Sequence, residues 1–117
     1  MNKKILIADD DDSLRHFVAE SLRKEGFDVT EATDGSIAWQ LLKNQPFDLL
    51  LTDIVMPNLD GVELSTKAIV NDPNIKIMFM TGFTGMASDL EAKTKVIAKP
   101  FHLKDIVTQV VTLLSNK

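Results

Sequence analysis

The sequence has 117 residues, 44% of them hydrophobic and 26% charged, which fits a single globular domain over residues 1–117 because compact domains most often have roughly 100 to 150 residues. Its formal net charge of −4 gives no general attraction to nucleic-acid phosphates or anionic lipid, so we expect neither nucleic acid nor a membrane among its partners. The sequence contains no cysteine, which excludes disulfides, thiol redox chemistry and thiolate metal sites.

The chain begins with an alternation of strand and helix patterns. Residues 4–8 form an apolar run that ends at a cluster of aspartates, a pattern typical of a strand buried on both faces. Residues 13–25 have helical periodicity and precede Gly26, which favours a left-handed cap. Residues 27–31 predict the second strand. The positions assigned to the inner face of the first helix are Leu14, Phe17, Val18, Ser21 and Leu22.

The same alternation continues through the middle of the chain. Asp34 is expected to cap a second helix, which ends before Pro46. Residues 47–52 predict the third strand, residues 62–71 the third helix and residues 75–80 the fourth strand. The positions assigned to the inner face of the second helix are Ile37, Ala38, Leu41 and Leu42.

The last third of the chain is patterned less regularly. A short helix is expected between residues 85 and 92, residues 96–98 predict the fifth strand, and an apolar stripe predicts a final helix. Strands that alternate with helices through long connections predict an α/β fold, a doubly wound (βα)5 domain with helices on both faces of a parallel sheet. The apolar stripe of the final helix consists of Leu103, Ile106, Val107, Val110, Leu113 and Leu114.

No segment for export or membrane insertion is visible. The apolar stretch near the amino terminus ends at residue 8, which is too short for a signal peptide. No other apolar run reaches the roughly 20 residues needed to cross a bilayer. We therefore expect a cytoplasmic protein.

Polar side chains follow the carboxyl ends of four predicted strands, where ligands bind in open α/β sheets. Carboxylates there can hold Mg2+, which prefers hard oxygen ligands, and Asp10 and Asp53 are the expected direct ligands. A metal and an ammonium group would cancel the repulsion between an attacking carboxylate and a phosphate, and a hydroxyl can hydrogen-bond a phosphoryl oxygen. The set therefore favours phosphoryl transfer. Its members are Asp9, Asp10, Asp53, Thr81 and Lys99.

Each of these residues also has an ordinary structural explanation. Residues 9–12 could be a solvated acidic helix start, Asp53 a turn residue, Thr81 part of a loop and Lys99 a surface cation. None of these explanations accounts for the placement of all of these residues at the carboxyl ends of predicted strands. Residues 56–61 have turn chemistry, in which proline fixes one dihedral angle and glycine permits a positive one.

At these positions the sequence resembles the response-regulator receiver domains over essentially its whole length. The matching segments are Ile-Leu-Ile-Ala-Asp-Asp at 5–10, Leu-Thr-Asp-Ile-Val-Met-Pro at 51–57 with Asp-Gly at 60–61, Met-Thr-Gly at 80–82 and Lys-Pro-Phe at 99–101. The resemblance implies a strand order of 2-1-3-4-5 and Asp53 as the phosphoacceptor. It also implies that Asp9, Asp10, Asp53 and the backbone carbonyl of Val55 bind Mg2+, and that Thr81 and Lys99 engage the phosphoryl group.

The resemblance also implies partners. A histidine kinase or histidine phosphotransferase would donate the phosphoryl group, and a downstream protein would recognise the change. Within the family, residues 53–57, residues 76–79 with 81–83, and residues 99–103 look most like a stand-alone alphaproteobacterial regulator, which implies ClpX of the ClpXP protease as that partner. We expect a monomer or weak dimer, and no enzymatic activity beyond its own phosphorylation and dephosphorylation.

Other functions remain open at this point. Asp9 and Asp11 form an Asp-x-Asp pair after the first strand, as in metal-dependent phosphohydrolases of the haloacid dehalogenase type, although the chain has no room for their usual cap. The fold could also serve a constitutive adaptor without phosphorylation, or a flavin carrier of the same topology. The intact set of acids, threonine and lysine speaks against a degenerate site.

Overall fold

The structure, a computed structural model, describes residues 2–81, 94–98 and 103–115. Its strands are β1 (Lys4–Ala8), β2 (Asp28–Ala32), β3 (Leu49–Asp53), β4 (Lys76–Thr81) and β5 (Thr94–Ala98). Its helices are α1 (Asp12–Lys24), α2 (Gly35–Asn44), α3 (Gly61–Asn71) and α4 (Leu103–Ser115). All strand pairs are parallel, in the order β2-β1-β3-β4-β5, which confirms the predicted α/β fold and strand order.

The core has two layers because alternate residues of a strand point to opposite faces of the sheet. On one face, Leu6, Leu50 and Phe79 pack with side chains of α2 and α3. On the other face, Ile7 and Met78 pack with side chains of α1 and α4. Both faces are covered, which explains why the strands are continuous apolar runs. Buried helical residues in the two layers include Ala38, Leu42, Leu64 and Ala68 in the first, and Val18, Leu22, Ile106 and Val110 in the second.

The predicted inner faces of two helices were partly wrong. Phe17 on α1 is 62% exposed and Ile37 on α2 is 45% exposed. On α1 the buried stripe is shifted by one residue toward the carboxyl terminus relative to the predicted stripe. It therefore includes Arg15 together with apolar residues. A charged side chain thus occupies a position that hydrophobic periodicity assigns to the surface. The full buried stripe is Arg15, Val18, Ala19 and Leu22.

Element ends also differ from the prediction by one or two residues. The helix predicted over residues 13–25 is α1, which begins at Asp12 because the Asp11 side chain caps it. β5 begins at Thr94 rather than at residue 96. The short helix predicted between residues 85 and 92 lies outside the described residues. No helix in the described part is long and apolar enough to span a bilayer.

Candidate functional site

Three carboxylates meet at the carboxyl edge of the sheet. Ala8 of β1 pairs with Thr52 of β3, so the residues that follow them emerge side by side. Asp9, Asp10 and Asp53 each offer a carboxylate oxygen, and these oxygens lie within 4.8 Å of one another. Asp9 is buried, Asp53 is half-buried and Asp10 is exposed. The structure therefore brings together the predicted acids in an arrangement open to solvent on one side.

Local hydrogen bonds orient two of the three acids. The backbone N–H of Asp11 donates to Oδ1 of Asp9 at 2.9 Å, and the backbone N–H of Ile54 donates to Oδ1 of Asp53 at 2.7 Å. The backbone N–H of Asp9 also donates to the carbonyl oxygen of Ala32 at 3.2 Å, which extends the pairing of β1 with β2 by one residue. Both carboxylates are thus held by the backbone around them.

Asp11 has a different role from its neighbours. Its Oδ1 accepts a hydrogen bond from the backbone N–H of Leu14 at 3.1 Å, which caps α1. The described acids that cluster are Asp9, Asp10 and Asp53, without Asp11. The Asp9 and Asp11 pair behind the phosphohydrolase hypothesis therefore does not form a shared site.

Arg15, which was not among the predicted site residues, contacts the acidic loop, the segment after β1 that contains Asp9 and Asp10. Arg15 donates from Nη1 to the backbone carbonyl oxygen of Asp9 at 2.9 Å and to Asp12 Oδ1 at 2.7 Å, and from Nε to Glu31 Oε1 at 3.1 Å. Burial lowers the pKa of Arg15, but hydrogen bonds to Asp12 and Glu31 outweigh that effect and raise it overall. Because hydrophobic periodicity assigns position 15 to the surface, the sequence alone offers no signal of this contact.

Glu31, near the end of β2, is the anionic partner in this network. Its carboxylate contacts Arg15, His16 at 3.3 Å and Arg23 at 3.4 Å. Burial by itself raises the pKa of Glu31, but the hydrogen bonds with His16 and Arg15 outweigh it and lower the pKa overall. Glu31 thus ties α1 to β2 next to the acidic loop.

The loop between β3 and α3 is held close to the Asp53 backbone. The backbone N–H of Gly61 donates to Ile54 O at 2.7 Å, and a Cβ at position 61 would overlap the carbonyl oxygen of Asp53. Asn58, with φ of 72°, adopts the left-handed conformation in this loop. The expectation that glycine supplies the positive dihedral angle here was therefore wrong. Gly61 is required by close approach instead.

The same loop is anchored on the start of α2. Asn58 Nδ2 donates to Asp34 Oδ2 at 3.1 Å, while Asp34 Oδ1 accepts from the Ile37 N–H at 2.9 Å and caps α2 as predicted. A Cβ on Gly35 would overlap the carbonyl oxygen of Leu59, so the two segments touch backbone to backbone. The loop after Asp53 is therefore in direct contact with the start of α2.

The structure describes the other predicted site residues, Val55, Thr81 and Lys99, only in part. Val55 follows Asp53 in the loop, with a side chain that is 53% exposed. Thr81 ends β4 and pairs with Ala98 at the end of β5, so the backbone brings it to the same edge as Asp53, which pairs with Met80. Lys99 follows Ala98 in the sequence and lies outside the described residues. The predicted roles of Thr81 and Lys99 stay predictions.

A sequence profile of the response regulator receiver domain matches residues 5–111. The chain belongs to this family. This receiver domain is 47% identical to the response regulator receiver protein CpdR of Brucella abortus (strain 2308), over 96% of this chain and 97% of CpdR. It is 34% identical to sporulation initiation phosphotransferase F of Bacillus subtilis (strain 168), over 99% of each chain. Both relatives align with the receiver domain along nearly their whole length.

Solved structures agree with the sequence comparison. The response regulator TrrA of Thermotoga maritima, in complex with Mg2+ and BeF, superposes with a TM-score of 0.85 at 28% identity, over 95% of this chain and 98% of TrrA. The predicted family resemblance is thus confirmed. The chain is a CheY-like receiver domain of two-component signalling and a homologue of CpdR.

Proposed function

We propose that this receiver domain accepts a phosphoryl group on Asp53 while Mg2+ is bound beside it. The observation that carries this proposal is the approach of the Asp9, Asp10 and Asp53 carboxylate oxygens to within 4.8 Å at the carboxyl edge of the sheet. That edge is where ligands bind in folds of this type. Family membership and the Mg2+ and BeF complex of TrrA support the same interpretation.

The donor set fits Mg2+. This ion takes hard oxygen ligands in an octahedron, usually with one or two carboxylates, several waters and a phosphate oxygen. Asp10 and Asp53 would be direct ligands, with Asp9 and the carbonyl of Val55 completing the protein's share. When bound, the ion would supply positive charge that offsets the repulsion between the carboxylates and an incoming phosphoryl group.

Asp53 would act as the nucleophile. A carboxylate oxygen attacks phosphorus of a phosphohistidine in line with the leaving nitrogen, so that a P–O bond forms and the P–N bond breaks. The histidine leaves as a neutral imidazole when its other ring nitrogen carries a proton. Thr81 would donate its hydroxyl hydrogen to a phosphoryl oxygen, and the Lys99 ammonium would pair with another. In the later hydrolysis, a water oxygen attacks phosphorus and the P–O bond to Asp53 breaks, which returns the Asp53 carboxylate and gives inorganic phosphate, with one proton of the water passing to solvent or phosphate.

The output would be a change of protein partner. Phosphorylation adds negative charge and hydrogen-bond acceptor oxygens next to a loop that is hydrogen-bonded to the start of α2. Such a change shifts the equilibrium between two conformations of the domain. The donor would be a histidine kinase or histidine phosphotransferase. Likeness to CpdR supports a role in which the unphosphorylated protein acts as an adaptor that binds ClpX of the ClpXP protease.

Intact-mass measurement tests the acceptor step. Wild type incubated with Mg2+ and acetyl phosphate is expected to gain the mass of one phosphoryl group, and Asp53→Asn is expected to gain none. Asp28→Asn, which removes an exposed acid at the other end of the sheet, is the matched control and should label as wild type does. Equal labelling of wild type and Asp53→Asn would refute the proposal.

Purified ClpX tests the output step. Binding to the immobilised receiver domain is measured with and without beryllofluoride and Mg2+, which together mimic the phosphorylated aspartate. We expect beryllofluoride to weaken ClpX binding to wild type and to leave Asp53→Asn unaffected. Binding that ignores beryllofluoride would indicate a constitutive adaptor, and no binding in either state would exclude ClpX.

A further inference from the structure

Two lysines converge on the single tryptophan of the chain, on the face formed by α2 and α3. The Nζ atoms of Lys43 and Lys67 lie 5.5 Å and 5.4 Å from the Trp39 ring centroid. Both distances are within the range of cation–π attraction. Lys43 comes from the next turn of α2 and Lys67 from α3, so the arrangement depends on the packing of the two helices. We call these three residues the lysine–tryptophan patch.

A surface cavity adjoins this patch. It has a volume of about 350 Å³ and is lined by Trp39, Thr66, Lys67, Val70 and Asn71. Val70 is 79% exposed, more than any other exposed large hydrophobic side chain in the described part of the chain, and Trp39 is half-buried. The lining contains no acidic residue. The cavity therefore has an apolar floor and a cationic border.

Within the described part of the chain, the two lysines contact the Trp39 ring but no carboxylate neutralises their charges. There, the ion pairs join Arg15, His16 and Arg23 to acids of α1 and β2, and neither Lys43 nor Lys67 takes part in one. The whole chain has a formal net charge of −4, so this is a local positive site on an acidic protein. Charge complementarity therefore favours an acidic ligand of limited size.

We propose that the lysine–tryptophan patch is a docking site for an acidic peptide segment of a partner protein. One apolar side chain of the peptide enters the cavity between Trp39 and Val70, and flanking carboxylates pair with Lys43 and Lys67. Nucleic acid or an anionic membrane would need a broader basic surface than two lysines on an acidic chain. Lys43 and Lys67 lie toward the carboxyl-terminal ends of α2 and α3, away from the ends of these helices that contact the loop after Asp53, so the unphosphorylated protein is expected to bind the peptide.

Trp39 emission offers a direct measurement because the chain has no other tryptophan. The probe is a pool of heptapeptides with a central leucine, phenylalanine or methionine between glutamates, titrated into the full chain. Two control pools carry glutamine in place of glutamate, or serine at the centre. The variants are Lys43→Glu with Lys67→Glu, and Lys3→Glu with Lys24→Glu as a control of equal charge change at exposed lysines elsewhere. Circular dichroism establishes that each variant is folded.

The expected result is a saturable change in Trp39 emission with the acidic apolar pool alone. The double variant of the patch should lose roughly tenfold or more in affinity, and the control double variant should bind as wild type does. Asp53→Asn should also bind as wild type does, which separates this proposal from the phosphorylation proposal. The proposal is overturned if no pool binds, if the glutamine pool binds equally well, or if a DNA oligonucleotide, anionic vesicles or self-association of the chain gives the same Lys-dependent response.

Discussion

The guanidinium of Arg15 donates a hydrogen bond of 2.9 Å to the backbone carbonyl oxygen of Asp9. That oxygen belongs to the peptide that joins Asp9 to Asp10, so the contact fixes the peptide between two of the clustered acids. The Arg15 side chain is only 10% exposed and is held in turn by Asp12 and Glu31. We therefore predict that Arg15 positions the acids of the candidate metal site.

Replacement of this guanidinium should loosen the acidic loop. We expect Arg15→Gln to lower the free energy of unfolding by about 1–3 kcal/mol, because buried acceptors lose a charged donor. It should also weaken Mg2+ affinity several-fold, as measured by calorimetry. Arg23→Gln removes a neighbouring guanidinium that binds Glu31 and Val29 O but not Asp9, and should leave Mg2+ affinity unchanged. Equal Mg2+ affinity in Arg15→Gln and Arg23→Gln would refute this role.

Glu31 should make the stability of the fold depend on pH. Its pKa is lowered below the ordinary value of 4.5 in the folded protein, so its contribution is present above that value and is lost as the pH falls through the folded-state pKa. Urea unfolding of wild type and Glu31→Gln from about pH 7 to about pH 3.5 measures this. The stability advantage of wild type should shrink on acidification. An advantage that is constant or grows toward low pH would contradict the assignment.

Gly61 should be intolerant of a side chain. In Gly61→Ala the new methyl group would overlap the Asp53 carbonyl, which costs about 1–3 kcal/mol and displaces the acceptor residue. Phosphorylation by acetyl phosphate should fall sharply. Gly26→Ala is a matched control, since Gly26 has a φ of 98° but no atom near its missing Cβ. It should cost about 1 kcal/mol of stability without slowing phosphorylation. Similar phosphorylation rates in both variants would show that Gly61 does not position Asp53.

The phosphorylated form should lose its phosphate slowly. Val55, two residues after Asp53, is 53% exposed and offers no hydrogen bond that would orient an attacking water. Val55→Asn supplies such a group and should speed phosphate release several-fold, whereas Val55→Leu should not. Release is followed as inorganic phosphate after removal of the donor. A wild-type half-life of seconds, or equal rates in all forms, would contradict this prediction.

The sequence was sufficient to predict the fold and the approach of Asp9, Asp10 and Asp53. Runs such as Ile5 to Ile7 and Leu49 to Leu51 are apolar without alternation, which occurs when helices cover both faces of a sheet. Parallel strands then bring all their carboxyl ends to one edge, so Asp9 and Asp53 had to emerge together. Three of the predicted site residues are clustered as expected.

Contacts between segments that are distant in the chain could not be predicted from the sequence pattern. Arg15 is a polar residue in a buried stripe, and hydrogen bonds to Glu31 on β2 and to the carbonyl oxygen of Asp9 explain its burial. The need for glycine at position 61 arises from a backbone contact with Asp53 across the loop. Hydrophobic periodicity carries no information about either contact.

The central claim is that Asp53 receives the phosphoryl group at a Mg2+ site shared with Asp9 and Asp10. Borohydride reduction of the acetyl-phosphate-treated protein, followed by peptide mass spectrometry, locates an acyl phosphate because it converts that aspartate to homoserine. We predict homoserine at position 53, formed in wild type with Mg2+ and greatly reduced without the ion or in Asp10→Asn. Homoserine at another aspartate, or equal yield at position 53 without Mg2+, would contradict the claim.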